Sequence, residues 1–118
     1  MLPARHRLRT SADFTSAVRG PGGSRSGGRL IVVHANQTDT RAGLPPRVGF
    51  VVSKAVGGSV VRNRTKRVLR HLMAARVPGI PAGVDLVVRA NPASSAATTP
   101  ELSAELDRLL PKALRGRS

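Results

Sequence analysis

The chain contains no cysteine, no tryptophan and no tyrosine, and its only aromatic rings besides histidine are Phe14 and Phe50. Without thiols there is no disulfide framework, no thiolate zinc site and no cysteine nucleophile. With so few rings, the core has to be built from Val, Leu, Ile and Ala. Acids are scarce as well, six Asp and Glu against twenty Lys and Arg. No stretch approaches the ~20 consecutive apolar residues that span a bilayer. The basic start MLPARHRLRTSADF has no apolar run behind it and does not read as a signal peptide. The expectation is a soluble, cytoplasmic protein with no membrane partner and no obligate protein partner.

What is abundant is positive charge. The formal net charge is +14 and the pI is near 12.0. Arg outnumbers Lys heavily, a bias that a composition rich in Ala, Gly, Pro and Val partly shares through codon usage. The net charge itself calls for a polyanion that relieves self-repulsion, and nucleic acid is the foremost one. At 118 residues the expectation is one RNA-binding domain over 1–118, with residues 1–9 (Arg5, Arg7, Arg9) as a flexible basic arm.

Along the chain, Thr10 or Ser11 caps a short helix that carries Phe14, Ala17 and Val18 and stops at Gly20-Pro21. Gly20–Gly28 (GPGGSRSGG) reads as a flexible loop. Leu30–Val33 and Arg47–Ser53 read as strands, and the turn-rich residues 36–46 between them predict a hairpin with a long connection. Gly57-Gly58-Ser59 opens a helix from Ser59 to about Val77, a candidate anion site through its free N–H groups. Val84–Arg89 is a third strand, NPASSAATTP a loop, and Glu101–Leu114 a final amphipathic helix that Pro111 bends or shortens. The fold class is α+β, an α-β-β-α-β-α sandwich without repeats.

The central helix carries the chemistry. On a wheel with Val61 at zero, Val61, Val68, Leu72 and Ala75 fall on one side, with Thr65 and Leu69 at its edge. Arg62, Lys66 and Arg70 stack at i, i+4 and i+8 on the other, beside Asn63 and Arg67, with Arg64 and His71 closing the arc. No acid occurs between Asp39 and Asp85. Ordinary solvated faces mix signs, because like charges at i,i+4 are destabilising and opposite ones stabilise. Guanidinium forks match phosphate oxygens, and Asn63 can donate and accept at a 2′-hydroxyl or a base edge. A membrane-surface helix would carry large aromatic or Leu clusters where this one has mainly Val and Ala.

The string RVGFVVSKAVGGSVVRNRTKRVLR (47–70) resembles the signature of the bacterial ribonuclease P protein component. That signature is a strand ending in Ser-Lys, a Gly turn, and an Arg-Asn-Arg helix continued by Lys-Arg. RLRTSADFTSAV, the Gly-rich loop, the LIVV strand and DLVV followed by Asn-Pro-Ala extend the resemblance over nearly the whole chain. It implies a subunit that assists 5′ maturation of precursor tRNA, with catalysis and most of the Mg2+ belonging to the catalytic RNA and no catalytic residue or protein-held metal in the chain. It implies RNA-binding roles for Lys54, Arg62, Asn63, Arg64, Lys66, Arg67 and Arg70. A leader cleft would include Phe14 and the positions of Val18 and His34. The fold would resemble the second domain of ribosomal protein S5, with a left-handed β-α-β crossover that no local pattern suggests. The sequence departs from the family pattern at Val18 and His34, where aromatics are common, and at Ala55, where a second lysine is usual. Leader contact is therefore expected to rest more on phosphates than on base stacking.

Three alternatives compete. A generic RNA-binding or ribosomal-type protein would share the basic helix without any role in tRNA processing. A helix-turn-helix protein would need a partner helix and tight turn where strands are expected. A protein-only nuclease would need acidic clusters for two metals, which six acids scarcely supply. His6 and His71 are isolated, and Asp13, Asp39 and Asp85 have no metal or acid–base spacing; Asp85 at a strand start reads as structural.

Overall fold

Val- and Ile-rich runs with few polar interruptions suit strands covered on both faces. Two such runs become the central strands in the computed structural model, which describes residues 6–8, 23–37 and 43–116. The strands are β1 (Ser24–Gly27), β2 (Ile31–Gln37), β3 (Arg47–Val51) and β4 (Val84–Ala90). The helices are α1 (Ser59–Ala74) and α2 (Thr99–Gly116), with short 3-10 turns at Val77–Gly79 and Pro92–Ala96. The sheet order is β1-β2-β4-β3. β2 is antiparallel to both β1 and β4, and β3 is parallel to β4.

This order overturns the expected β2–β3 hairpin. β4 lies between the two strands, bonded to β2 from Ile31↔Ala90 to Gln37↔Val84 and to β3 from Arg47↔Asp85 to Val51↔Arg89. A chain that leaves β3, crosses through α1 and returns parallel to it buries β4 on both edges. The supposed Gly-rich loop also differs, because Ser24–Gly27 pairs with Val32–Ala35 as an edge strand. Its alternating burial shows why composition misled: half of it faces solvent and carries only Ser, Gly and Arg.

One sheet face holds the core. Ile31, Val33 and Ala35 of β2, Val48 and Phe50 of β3, and Val84, Leu86 and Val88 of β4 pack against Leu69, Leu72 and Met73 of α1 and Leu102, Leu106, Leu109 and Ala113 of α2. The buried side of α1 is thus turned by about 60° from the expected wheel at 100° per residue. Thr65, Leu69, Leu72 and Met73 are buried, whereas Val61 and Val68 are half-buried and Ala75 is exposed past the helix end. The helix ends at Ala74 rather than near Val77, where the next residues form a 3-10 turn led into Pro78. Its N-cap is Gly58, not Ser59, with no capping side chain.

α2 begins earlier than expected because Thr98 and Glu101 form a reciprocal cap. The Thr98 N–H donates to Glu101 Oε1 at 2.8 Å, and the Glu101 N–H donates to Thr98 Oγ1 at 3.3 Å. The backbone bond from Thr98 holds the Glu101 carboxyl below its ordinary range. Pro111 sits inside α2 without ending it, on its exposed side. Glu105 of α2 ties the helix to the start of β2, its Oε2 accepting from the N–H groups of Leu30 (2.8 Å) and Ile31 (2.7 Å). A Cβ on Gly28 would lie 2.7 Å from that carboxylate, so a side chain at position 28 would have to displace Glu105. At Gly83, φ of +84° lets the chain turn into β4 as its N–H donates to the Leu44 carbonyl.

On the other sheet face Val32, His34, Asn36, Asp85 and Val87 are buried and Arg89 is exposed. Leu8 packs there on Val87 and Val51. The Leu8 N–H donates to the Val48 carbonyl at 3.1 Å, and the His6 Nδ1–H donates to the Pro46 carbonyl at 2.7 Å. Arg47 forks onto Asp85 through Nε and Nη2 at 2.9 and 2.8 Å, a structural use of that acid.

Candidate nucleic-acid interface

Two basic surfaces meet at the turn Ser53–Gly57. The first is α1. Asn63, Arg64, Arg67, Arg70 and His71 are exposed, while Arg62 and Lys66 are half-buried on the flank of the helix. None of the five α1 cations forms an ion pair among the described residues, although three ion pairs occur elsewhere, at Arg47, Arg76 and Arg108. Arg64 is aimed by a bond from its Nη2 to the Ser95 carbonyl at 2.9 Å. The Arg62 Nε is buried with no hydrogen-bond partner, so its fork is held against the protein while its residue remains partly open. An isolated solvated helix would not leave so many guanidinium donors uncompensated.

The second surface is a cleft of about 480 Å³ on the sheet face opposite the main core, lined by Arg25, His34, Ser53, Ala55, Arg89 and Asn91 among others. Arg25 and His34 stand directly opposite each other across β1 and β2, and Arg89 is paired with Val32, one diagonal step from His34. His34 is only 9% exposed, and burial, then Arg25, then Arg89, push its imidazole below the ordinary histidine pKa. Asn91 anchors the rim, its Nδ2 donating to the Gly28 and Arg29 carbonyls at 3.0 and 3.3 Å. Lys54 is exposed on the turn between Ser53 and Ala55, and that turn leads directly into α1.

The structure therefore gathers Lys54, Arg62, Asn63, Arg64, Lys66, Arg67 and Arg70 on α1 and its leading turn, and sets His34 in the adjoining cleft. Phe14 and Val18 lie outside the described residues. Arg25 and Arg89 were not singled out from the sequence. The available signal was Arg25 in a Ser-Arg-Ser alternation, obscured by the surrounding glycines, and Arg89 as the one polar residue facing out late in an apolar strand.

A family model for ribonuclease P matches residues 2–114. The chain belongs to the ribonuclease P protein family. The ribonuclease P protein component of Acidothermus cellulolyticus is 55% identical over 111 residues, covering 93% of this chain and 89% of that one. That of Streptomyces avermitilis is 49% identical over 122 residues and covers 98% of each chain. Among solved structures, a Staphylococcus aureus RNase P protein mutant with defective mRNA degradation activity superposes with a TM-score of 0.80 at 28% identity, covering 92% of this chain and 87% of that one. The RNase P protein of Thermotoga maritima, at 24% identity and a TM-score of 0.75 over 97% of this chain and all of that one, shows the same fold. Membership makes ribonuclease P, and with it tRNA processing, the functional setting of the chain.

The described acids have other duties. Asp85 pairs with Arg47, Asp107 with Arg76 and Glu105 with Arg108, and Glu101 caps α2. No group of three or more His, Asp or Glu among the described residues could hold a metal ion. No described helix is long and apolar enough to cross a membrane.

Proposed function

We propose that this chain is the protein subunit of ribonuclease P that docks on the catalytic RNA through α1 and holds the 5′ leader of precursor tRNA in the cleft lined by Arg25, His34 and Arg89. Bond cleavage and the magnesium ions belong to the RNA, and the protein acts by binding and positioning. The observation that carries this reading is the acid-free face of α1, whose guanidinium groups have no ion-pair partner among the described residues and run through Lys54 into a basic cleft. Arg64, Arg67 and Arg70 supply forked donors to phosphates, Lys54 a mobile point charge, and Asn63 a group able to read a 2′-hydroxyl. With His34 and Val18 in positions that are commonly aromatic, the leader is gripped chiefly by its backbone. The described residues contain no cluster of three or more His, Asp or Glu that could hold a magnesium ion.

The decisive experiment assays precursor-tRNA cleavage with and without the cognate catalytic RNA, at low and moderate magnesium. The expected result is no cleavage by protein alone, and tighter substrate binding or faster cleavage when protein joins the RNA at low magnesium. Cleavage by RNA-free protein, or no advantage from adding it, overturns the proposal. A narrower expectation concerns salt. Arg67→Ala weakens RNA binding and lowers the log–log salt slope by about 0.7–0.9, the contribution of one phosphate contact. An unchanged slope would place Arg67 off the phosphates.

A further inference from the structure

Building on the leader-cleft reading, we propose that His34 is a proton-linked phosphate ligand: with Arg25 and Arg89 it grips one backbone phosphate of single-stranded RNA and takes up a proton from solvent as that phosphate arrives. The geometry is set by strand register. Arg25 and His34 are direct cross-strand neighbours, a pairing that puts their Cβ atoms roughly 5 Å apart. Arg89 projects from the same face of β4, diagonal to His34 through the Val32 pair. All three line one cleft, open enough to admit a phosphodiester and its ribose. Two guanidinium groups flanking an imidazole can supply several convergent donors, and no carboxylate among the described cleft residues competes for them.

The surroundings of His34 favour a change of charge on binding. Arg25 faces it from β1 and Arg89 from β4, where Val87 stands directly opposite. The turn after β3 contributes Ser53 and Ala55 with exposed Lys54 between them, and the segment after β4 contributes Asn91 and Pro92. Asp85, farther along β4 opposite Asn36, is engaged by Arg47. Without RNA, burial and the two arginines hold the imidazole neutral at neutral pH. A phosphate offsets both positive charges and accepts a hydrogen bond from either ring nitrogen, which reverses the balance in favour of imidazolium.

The sign of the linkage follows. The His34 pKa is low in the free protein and raised in the complex, so affinity strengthens as pH falls through the bound value and levels off below the free one. Each unit by which binding raises that pKa is worth at most about tenfold in affinity. A generic arginine cleft would have no such dependence, because guanidinium groups do not titrate.

The test follows the imidazole resonances of the full-length protein by NMR from about pH 8 to about pH 5, alone and saturated with a short oligouridylate, a probe with weak stacking. The His34 signals are assigned by their loss in His34→Gln, with His6 and His71 as internal references. Fluorescence anisotropy measures oligonucleotide affinity over the same range for both proteins. The expected result is a His34 pKa raised by about one unit or more on binding, and an affinity gain toward low pH that is lost in His34→Gln. Binding with an unmoved His34 titration, or a pH dependence that survives in His34→Gln, overturns the inference and leaves the leader-cleft reading standing. Failure of the oligonucleotide to bind at all, in protein that still accelerates the catalytic RNA, overturns both.

Discussion

Reversing two charges on the exposed side of α1, Arg64→Glu with Arg67→Glu, is expected to lower affinity for the catalytic RNA by about two to four orders of magnitude. A hydrogen bond to a charged partner contributes about 1.5–3 kcal/mol, so losing two of them removes about 3–6 kcal/mol before new repulsion is counted. At about 1.4 kcal/mol per decade this gives the stated range. The fold should not suffer, since both residues are exposed and the Arg64 bond to Ser95 is itself on the surface. The glutamate at position 67 would lie one turn from Arg70 and His71, where opposite charges weakly support a helix, and this offsets its i,i+3 repulsion from the glutamate at position 64. Filter binding against the catalytic RNA, with a thermal melt of the variant alongside, measures both halves. An affinity within about threefold of the starting protein would move the docking surface away from α1.

The largest stability effect is expected at Glu105, which lines neither RNA surface. Its carboxylate is buried and satisfies the N–H groups of Leu30 and Ile31 where β2 begins, with Arg108 on its other oxygen at 3.2 Å. Glu105→Ala leaves two interior amide donors without an acceptor. At about 1–3 kcal/mol each, the loss is about 2–6 kcal/mol, a large part of the ~5–15 kcal/mol that holds a domain together. Glu105→Gln keeps one carbonyl oxygen for the two amides and should lose less than half as much. Urea unfolding of the three proteins, at equal m-value, separates these outcomes. If Glu105→Ala and Glu105→Gln fall together, the acceptor role is wrong and the charge itself matters. The site depends on this anchor, because Val32 and His34 follow within the same strand.

The arrangement of cations on α1 was legible in the sequence. The i, i+4, i+8 placement of Arg62, Lys66 and Arg70 is a property of one helix, and helical periodicity survives whatever the helix packs against. The expected wheel was nevertheless rotated. It was centred on Val61, whereas Leu69, Leu72 and Met73 pull the buried arc toward the larger side chains, leaving Arg62 and Lys66 half-buried rather than fully exposed. The cap of α2 was also readable, since Thr98 and Glu101 stand at capping-box spacing. The anchor at Glu105 was not, because nothing in an amphipathic helix says that one of its acids will find two amides from residues more than seventy positions earlier.

The sequence by itself determined the chemistry of this protein: a thiol-free, nearly ring-free, arginine-rich chain with one acid-free helix and a signature of the ribonuclease P protein family. Composition, periodicity and motif spacing are local quantities, which short-range physics already commits. Only the tertiary structure decided which strands are neighbours. β4 enters between β2 and β3, and a segment that reads as a glycine loop becomes the edge strand β1. Strand order depends on long-range closure of the chain, which no window of residues encodes. It is that order which brings Arg25 and Arg89, neither singled out from the sequence, to His34 in one cleft beside the helix.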